Sequence, residues 1–234
     1  MRYILAILLI MFSAPMWAEG SSSDELVLTK APINQFDMES IKRGAKFFAT
    51  NCMSCHTLVY LRYNKIAEDA GITYDKMPIN VKTWPFGVKP PDLSLEADIR
   101  GVDWIYTYLH SFYQDSVRPT GVNNLLVNNT AMPDIVAPYQ GQQILAKDPE
   151  ANADYLHKIE WYDMVTLDKQ GTMSPEQFDA TIADVVDFLA YAAEPYHAEQ
   201  EKIGWWVLGF LCILFVLMYL LKREYWKDVK KRKK

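Results

Sequence analysis

Residues 52–56, Cys-Met-Ser-Cys-His, constrain this chain more than any other segment. Two cysteines three positions apart, with a histidine directly after the second, form the signature for covalent attachment of a c-type haem. About one turn separates the two thiols, so both can reach the vinyl groups of one haem, and His56 follows as an axial ligand for its iron. The pattern therefore predicts one covalently bound haem c, attached through Cys52 and Cys55.

Two other kinds of site also use closely spaced cysteines. A thioredoxin-like redox pair stands in a βαβ context, whereas the residues before Cys52 have a helical pattern. A structural zinc site takes four ligands, and the remaining cysteine, Cys212, lies in a long apolar run. Both alternatives fit the sequence less well than a covalent haem.

The N-terminus is typical of a secretory signal peptide. Arg2 precedes an apolar core over residues 4–12, and small residues follow up to Ala18. This apolar core is too short to span a bilayer. We therefore predict that residues 1–18 are a signal peptide, although Met16 is an unusual residue for the −3 position of the cleavage site. A permanent N-terminal anchor is the alternative.

A second apolar segment lies near the C-terminus. Residues 203–221 carry no charge and are long enough to cross about 30 Å of hydrocarbon as a helix. Trp205 and Trp206 lie at its outer end, as in interfacial aromatic belts. The tail of residues 222–234 contains eight cations, so the positive-inside rule makes it cytoplasmic. Residues 19–202 are then an exported domain held by a single transmembrane helix.

Charge is divided unevenly along the chain. The whole sequence carries −5, with +1 in the signal peptide and +6 in the apolar segment and tail, which leaves −12 on residues 19–202. An acidic surface attracts a basic soluble partner and raises its association rate. Solubility alone would also explain such a surface. Both interpretations stay open, because an exported haem protein must also deliver its electrons to a partner.

The exported domain is predicted to be mainly α-helical. Asp37 can cap a helix over residues 38–51, whose apolar side carries Gly44, where another helix could approach closely. Ser174 begins a second helix that ends before Pro195, and a third is predicted over residues 103–114. No segment alternates clearly enough to predict a strand. Long loops rich in Pro and Asn separate these helices.

Several short runs together resemble the cytochrome c1 family. They are residues 41–44 (Ile-Lys-Arg-Gly) leading to the Cys-Met-Ser-Cys-His motif, 90–94 (Pro-Pro-Asp-Leu-Ser), 171–174 (Gly-Thr-Met-Ser) and 191–195 (Tyr-Ala-Ala-Glu-Pro). They occur in the order of the family and are followed by a terminal anchor. The resemblance implies a cytochrome c-like haem domain with long loops plus one C-terminal transmembrane helix.

The resemblance also implies a function in the respiratory chain. Family members are the haem subunit of quinol–cytochrome c reductase, complex III, and work with cytochrome b and a Rieske iron–sulfur protein. The chain would pass single electrons to a basic, soluble or tethered cytochrome c, with no bond made or broken on the chain itself. The signal peptide favours a bacterial version, with the haem domain on the periplasmic side of the inner membrane. Membrane lipid is an expected partner and nucleic acid is not.

Other functions are compatible with a tethered haem. One is a free-standing electron-transfer cytochrome c or a haem subunit of a terminal oxidase, which the runs at 90–94 and 191–195 argue against. The other is a haem sensor or peroxidase, which needs an open position on the iron. A methionine as the sixth ligand would exclude the second alternative.

Met132 is the predicted sixth ligand. It precedes Pro133, which favours an extended backbone and stiffens the loop, and in the family the axial methionine lies in such an apolar Met-Pro loop. Asp134 follows where the family often has a second proline. Met77, which precedes Pro78, is the next candidate.

The family also implies residues around the haem. Arg100 matches its propionate-binding arginine, and a guanidinium suits a carboxylate well. Trp104 lies one turn further on, where the family often has an aromatic residue at a propionate, and Pro91 is expected to pack against the ring plane. His110, His157 and His197 show no mutual ligand spacing. We predict that they are surface or helix-end residues.

Overall fold

The computed structural model describes residues 26–146 and 160–231. The predicted signal peptide lies outside these residues. The described part is mainly helical, with seven helices and four short strands. The helices are α1 (Met38–Asn51), α2 (Lys65–Asp69), α3 (Glu96–Arg100), α4 (Val102–His110), α5 (Ala137–Gln140), α6 (Pro175–Ala193) and α7 (His197–Lys231), and the strands are β1 (Phe112–Gln114), β2 (Val122–Asn124), β3 (Gly141–Leu145) and β4 (Val165–Gln170).

The first and sixth helices begin where the sequence predicts. The Asp37 carboxylate accepts hydrogen bonds from the backbone N–H groups of Glu39 and Ser40, at 3.0 and 3.3 Å. At the start of α6, the Ser174 hydroxyl accepts from the Gln177 N–H while the Gln177 side chain accepts from the Ser174 N–H. These caps satisfy N–H groups that have no partner within the helix itself.

Helices α1 and α6 cross at Gly44 and form the centre of the core. A Cβ atom on Gly44 would lie 1.9 Å from the carbonyl oxygen of Asp184, so only glycine permits this approach. Phe48 and Phe188 pack there with ring centroids 5.7 Å apart, and both side chains are fully buried. The Arg43 guanidinium donates to both carboxylate oxygens of Asp184 at 2.7 Å. The prediction for Gly44 is confirmed.

The helix predicted over residues 103–114 is shorter than expected. It ends at His110, and the chain continues as β1, which pairs antiparallel with β2. Side chains from distant elements bind the last carbonyl groups of α4. Asn124 Nδ2 donates to the Tyr108 oxygen at 2.8 Å, and Gln143 Nε2 donates to the oxygens of His110 and Phe112 at 2.8 Å each. These amide groups replace the hydrogen bonds that another helical turn would have made.

The strands form two antiparallel hairpins that the sequence did not predict. β1 pairs with β2, and β3 pairs with β4 with an irregularity between Gln142 and Gln143. Each strand is short, and β4 exposes all but its first residue. Such segments carry too little alternation of apolar and polar residues to be recognised, because their pairing is set by partners elsewhere in the chain.

Helix α7 extends the domain at its C-terminal end. Its segment Glu199–Lys227 is long and apolar enough to cross a membrane, with a mean hydropathy of 2.4 in its most apolar stretch. None of that stretch is buried against the described part of the protein. The predicted span of residues 203–221 lies within this helix.

Candidate haem site

The two cysteines and the histidine lie on a tight turn at the end of α1. The Cys52 N–H donates to the Phe48 oxygen at 2.9 Å, and the N–H groups of Cys55 and His56 both donate to the Cys52 oxygen, at 3.1 and 2.9 Å. Neither cysteine forms a disulfide bond. Burial raises the pKa of Cys52 to about 12, with a smaller contribution from Cys55. Reactive redox cysteines have lowered pKa values, so this environment does not suit a redox pair.

The orientation of the His56 ring is set by a distant carbonyl group. Its Nδ1 lies 2.8 Å from the carbonyl oxygen of Pro91, 35 residues away. Because a carbonyl can only accept, Nδ1 carries the proton and Nε2 is left with a lone pair for a metal. Burial lowers the pKa of His56, against smaller opposing effects of the Pro91 hydrogen bond and the charges of Glu96 and Asp92.

Pro91 contacts the site through a group that was not expected from the sequence, its backbone carbonyl. The sequence suggested that its ring packs against the haem plane, which stays a prediction. Its carbonyl group is the feature that the structure connects to the site. The following residues are bound to the segment after His56, since Thr57 and Asp92 form a parallel bridge and the Leu93 N–H donates to the Thr57 oxygen at 2.9 Å.

Arg100, at the end of α3, and Trp104, in α4, begin a row of contacting side chains. The Arg100 guanidinium lies 4.4 Å from the centre of the Trp104 ring, a cation–π contact. Trp104 stacks on Tyr108 with centroids 5.0 Å apart and an angle of 9° between the rings. The Arg100 Nε also forms an ion pair with Glu96, whose side chain is largely buried. Glu96 is a member of the site that the sequence analysis missed.

The same row reaches the loop that contains Met132. The Tyr108 hydroxyl lies 3.0 Å from Thr130 Oγ1, and the Met132 N–H donates to that same oxygen at 3.3 Å. Met132 is partly buried and packs against the core. Asp134 stiffens the loop further by accepting from the N–H groups of Val136 and Ala137, at 3.1 and 2.9 Å. Burial raises the pKa of Asp134 to about 6.

The other candidate methionines are less available to bind iron. Met77 is only 6 % exposed and Met164 is fully buried. The sulfur of Met173 lies 3.7 Å from the Thr181 hydroxyl, which can donate to it. Met132 thus combines a stiffened loop with a partly exposed side chain, whereas Met77 belongs to the core.

The structure also shows the positions of two other histidines, His110 and His197. His110 is at a helix end as predicted, but it is buried and not a surface residue, with 2 % exposure. Its Nδ1 lies 2.7 Å from the Tyr106 oxygen and its Nε2 lies 3.0 Å from Asp179. His197 begins α7, with its Nδ1 3.0 Å from Glu194. His157 lies outside the described residues.

The donor set that these residues provide suits a haem. Cys52 and Cys55 lie on one turn, and His56 has one ring nitrogen bound to a carbonyl group and the other available for iron. A cationic side chain and stacked aromatic rings form a separate row that ends at the Met132 loop. Among the described residues, no group of three or more His, Cys, Asp and Glu side chains could hold a bare metal ion.

Comparison with known proteins identifies the family. A sequence model described as the cytochrome C1 family matches residues 28–86 and 80–229. The chain belongs to the cytochrome c1 family. A cytochrome c1 of Allochromatium vinosum is 40% identical over 248 aligned residues, which include 97% of this chain and 99% of that protein. The family implies a covalently bound haem c, for which Cys52 and Cys55 are positioned.

Two further relatives carry other names. The ammonia monooxygenase gamma subunit of Nitrosomonas europaea is 38% identical over 98% of this chain and 100% of that protein. The cytochrome b/c1 of Bradyrhizobium diazoefficiens is 26% identical over 84% of this chain, which corresponds to 34% of that longer protein. Membership of the cytochrome c1 family makes this chain a haem-containing electron-transfer subunit of complex III, and its apolar C-terminal helix is consistent with a membrane anchor.

Proposed function

We propose that this chain carries single electrons from a Rieske-type iron–sulfur protein to a cytochrome c. The observation that supports this most directly is a row of contacting side chains that ends at the loop of Met132, one of the two proposed iron ligands. It begins at Glu96 and continues through the side chains named above, and the Met132 N–H donates to its last member. The row consists of Glu96, Arg100, Trp104, Tyr108 and Thr130.

The haem supplies the one-electron chemistry when it is bound, and the protein attaches and tunes it. Cys52 and Cys55 would attach it covalently, and His56 Nε2 and the Met132 sulfur would bind its iron. A His/Met pair raises the reduction potential relative to other pairs. Since both positions on the iron are then filled, this arrangement favours electron transfer over the binding of a gas or peroxide.

Arg100 and Trp104 are proposed to face the haem propionates. The ion pair uses Nε of Arg100, so its terminal nitrogens retain donors for a carboxylate. The cation–π contact with Trp104 holds the guanidinium in one orientation. Pro91 is proposed to pack its ring against the haem plane, and its carbonyl group contacts His56.

The proposed topology places electron transfer outside the cytoplasm. Residues 1–18 direct export, residues 19–202 form the periplasmic haem domain, and residues 203–221 cross the inner membrane. The tail of residues 222–234 remains cytoplasmic because of its eight cations. This arrangement brings the haem to the side where c-type haem is attached.

The electron acceptor is proposed to be a basic cytochrome c. The charge of −12 on residues 19–202 would steer a cationic partner to the domain. The rate of association should fall as the Debye length shrinks from about 30 Å at 0.01 M salt to about 8 Å at 0.15 M. Reduction of the haem by quinol through the complex should change much less. A bimolecular rate that does not vary with salt would instead indicate a membrane-tethered acceptor or one docked by apolar contacts.

The sixth ligand can be tested by a matched pair of substitutions. Met132→Leu removes the sulfur with little change in volume, so we expect a lower reduction potential and partly high-spin, ligand-accessible iron. Met77→Leu is the control, which should keep the low-spin spectrum and the potential of the wild type. The reverse pattern would move the assignment to Met77. Absorbance spectroscopy and redox titration of the purified complex provide both readouts.

The assembly can be tested by isolation from detergent-solubilised membranes. We expect a haem-stained chain to copurify with a cytochrome b and an iron–sulfur protein. Double substitution of Cys52 and Cys55 by Ala should abolish the haem stain on a denaturing gel. A haem-stained chain that purifies without those companions would support the free-standing electron carrier.

A further inference from the structure

The carboxylate of Asp92 connects the two segments that hold His56. Its Oδ2 accepts from the Thr57 hydroxyl at 2.5 Å and from the Val59 N–H at 3.1 Å. Its Oδ1 accepts from the Ser94 N–H at 3.0 Å. Thr57 directly follows the proposed iron ligand, and Asp92 directly follows the proline whose carbonyl contacts that ligand.

These contacts differ from those of an ordinary surface acid. Burial alone would raise the pKa of Asp92, but hydrogen bonds from Ser94, Thr57 and Val59 outweigh it and the pKa is lowered. The carboxylate is thus bound in its charged form. Hydrogen bonds to a charged acceptor are shorter and stronger than neutral ones, so this residue fixes the two segments relative to each other.

We propose that Asp92 is a positioning residue for the haem: by binding the segment after His56 to the segment after Pro91, it holds the Pro91 carbonyl against His56 Nδ1 and so tunes the reduction potential. The inference rests on the proposed role of His56 as an iron ligand. A hydrogen bond from the second ring nitrogen makes a ligating histidine more basic. A more basic ligand stabilises ferric iron and lowers the potential.

Two substitutions and one control distinguish an effect on the position of the Pro91 carbonyl from an effect of the negative charge of Asp92 alone. Asp92→Asn removes the charge and leaves an amide that cannot accept all three hydrogen bonds. Thr57→Val removes one of those bonds, keeps the side-chain shape and leaves every charge in place. Asp98→Asn removes an exposed acid from the neighbouring helix α3 and is the control for charge alone.

The potential and the His56 ring proton are the two readouts. In the purified ferrous complex, NMR follows the exchange of the Nδ1 proton with solvent, and a redox titration gives the potential. We expect both Asp92→Asn and Thr57→Val to raise the potential. The Nδ1 proton should exchange with solvent on the order of tenfold faster than in the wild type, because its hydrogen bond to the Pro91 carbonyl would open more often. Asp98→Asn should change neither readout.

Other results would contradict the inference, and each would identify a different cause. A potential that shifts in Asp92→Asn but not in Thr57→Val, with unchanged proton exchange, would show an effect of charge alone. Lower unfolding stability with both readouts unchanged would show a purely structural residue. If Asp92→Asn does not assemble, the milder Thr57→Val variant decides the question by the same two readouts. Absence of a histidine-ligated haem in the wild type would contradict the proposed function itself.

Discussion

The crossing of α1 and α6 is built differently from the side of the domain that is proposed to bind haem, the haem-facing side. At the crossing, Phe48 and Phe188 are fully buried, and a single glycine allows two backbones to touch. On the haem-facing side, Arg100, Trp104 and Met132 are exposed or only partly buried. Their positions are fixed by a cation–π contact, ring stacking and hydrogen bonds.

The difference indicates which region depends on a cofactor. The crossing is formed by protein atoms alone, because its central side chains, Phe48 and Phe188, are fully buried against each other. The haem-facing side instead presents polar and aromatic groups at the end of α1 and along α4. A haem between them would bury these groups, so this side should gain more from haem attachment than the crossing does.

The largest effect is expected from a change at the crossing. Gly44→Ala would place a Cβ atom 1.9 Å from the Asp184 carbonyl oxygen, which forces the helices apart. We expect a loss of about 3 kcal/mol or more in the free energy of unfolding, measured by denaturant titration. Gly204→Ala, where the new Cβ atom meets nothing within 4 Å, is the control and should be neutral or slightly stabilising. Equal losses in both variants would contradict close packing at Gly44.

A smaller effect is expected at Asp187, which lies in α6 within the same core. Its side chain is fully buried, and within the described structure neither carboxylate oxygen has a partner in full hydrogen-bonding geometry. Burial raises its pKa, against smaller opposing effects of Ser40 and the Asn34 backbone, while nearby Asp184 and Asp37 raise it further. Between the ordinary aspartate value of about 3.9 and the raised native value, the folded state binds more protons than the unfolded state. The free energy of unfolding should therefore fall as the pH rises through this window.

Comparison with Asp187→Asn tests this pH dependence. The variant cannot ionise at this position, so its stability should decline less over the same window than that of the wild type. Denaturant titrations at several pH values between 4 and 7 measure the difference. Identical slopes for wild type and variant would show that this carboxyl does not contribute.

The smallest effect is expected on the haem-facing side, where it changes the cofactor and not the fold. Arg100→Gln removes a positive charge and should lower the reduction potential by a few tens of millivolts, on the order of the Coulomb energy across about 10 Å of partly solvated protein. Arg100→Lys keeps the charge and should retain most of the potential. The unfolding stability of both variants should stay close to that of the wild type. An unchanged reduction potential in Arg100→Gln would contradict a role of Arg100 at the haem and would leave its ion pair with Glu96 as its only function.

Several features could be predicted from the sequence because they depend only on residues that are close together along the chain. Caps at Asp37 and Ser174 are short-range hydrogen bonds, so the starts of α1 and α6 follow from the residues next to them. Covalent haem attachment needs only the spacing of Cys52, Cys55 and His56. The C-terminal anchor follows from uninterrupted apolar length, because lipid excludes charged side chains.

Only the tertiary structure decided the features that join distant segments. The end of α4 at His110 depends on amide groups from Asn124 and Gln143, which local propensity cannot reveal. His110 is buried because Asp179 and the surrounding rings come from elsewhere in the chain. The His56 ring is oriented by a carbonyl 35 residues away. Sequence determined which groups carry the chemistry, and long-range packing determined how they are aimed, because hydrogen-bond direction depends on where both partners lie in space.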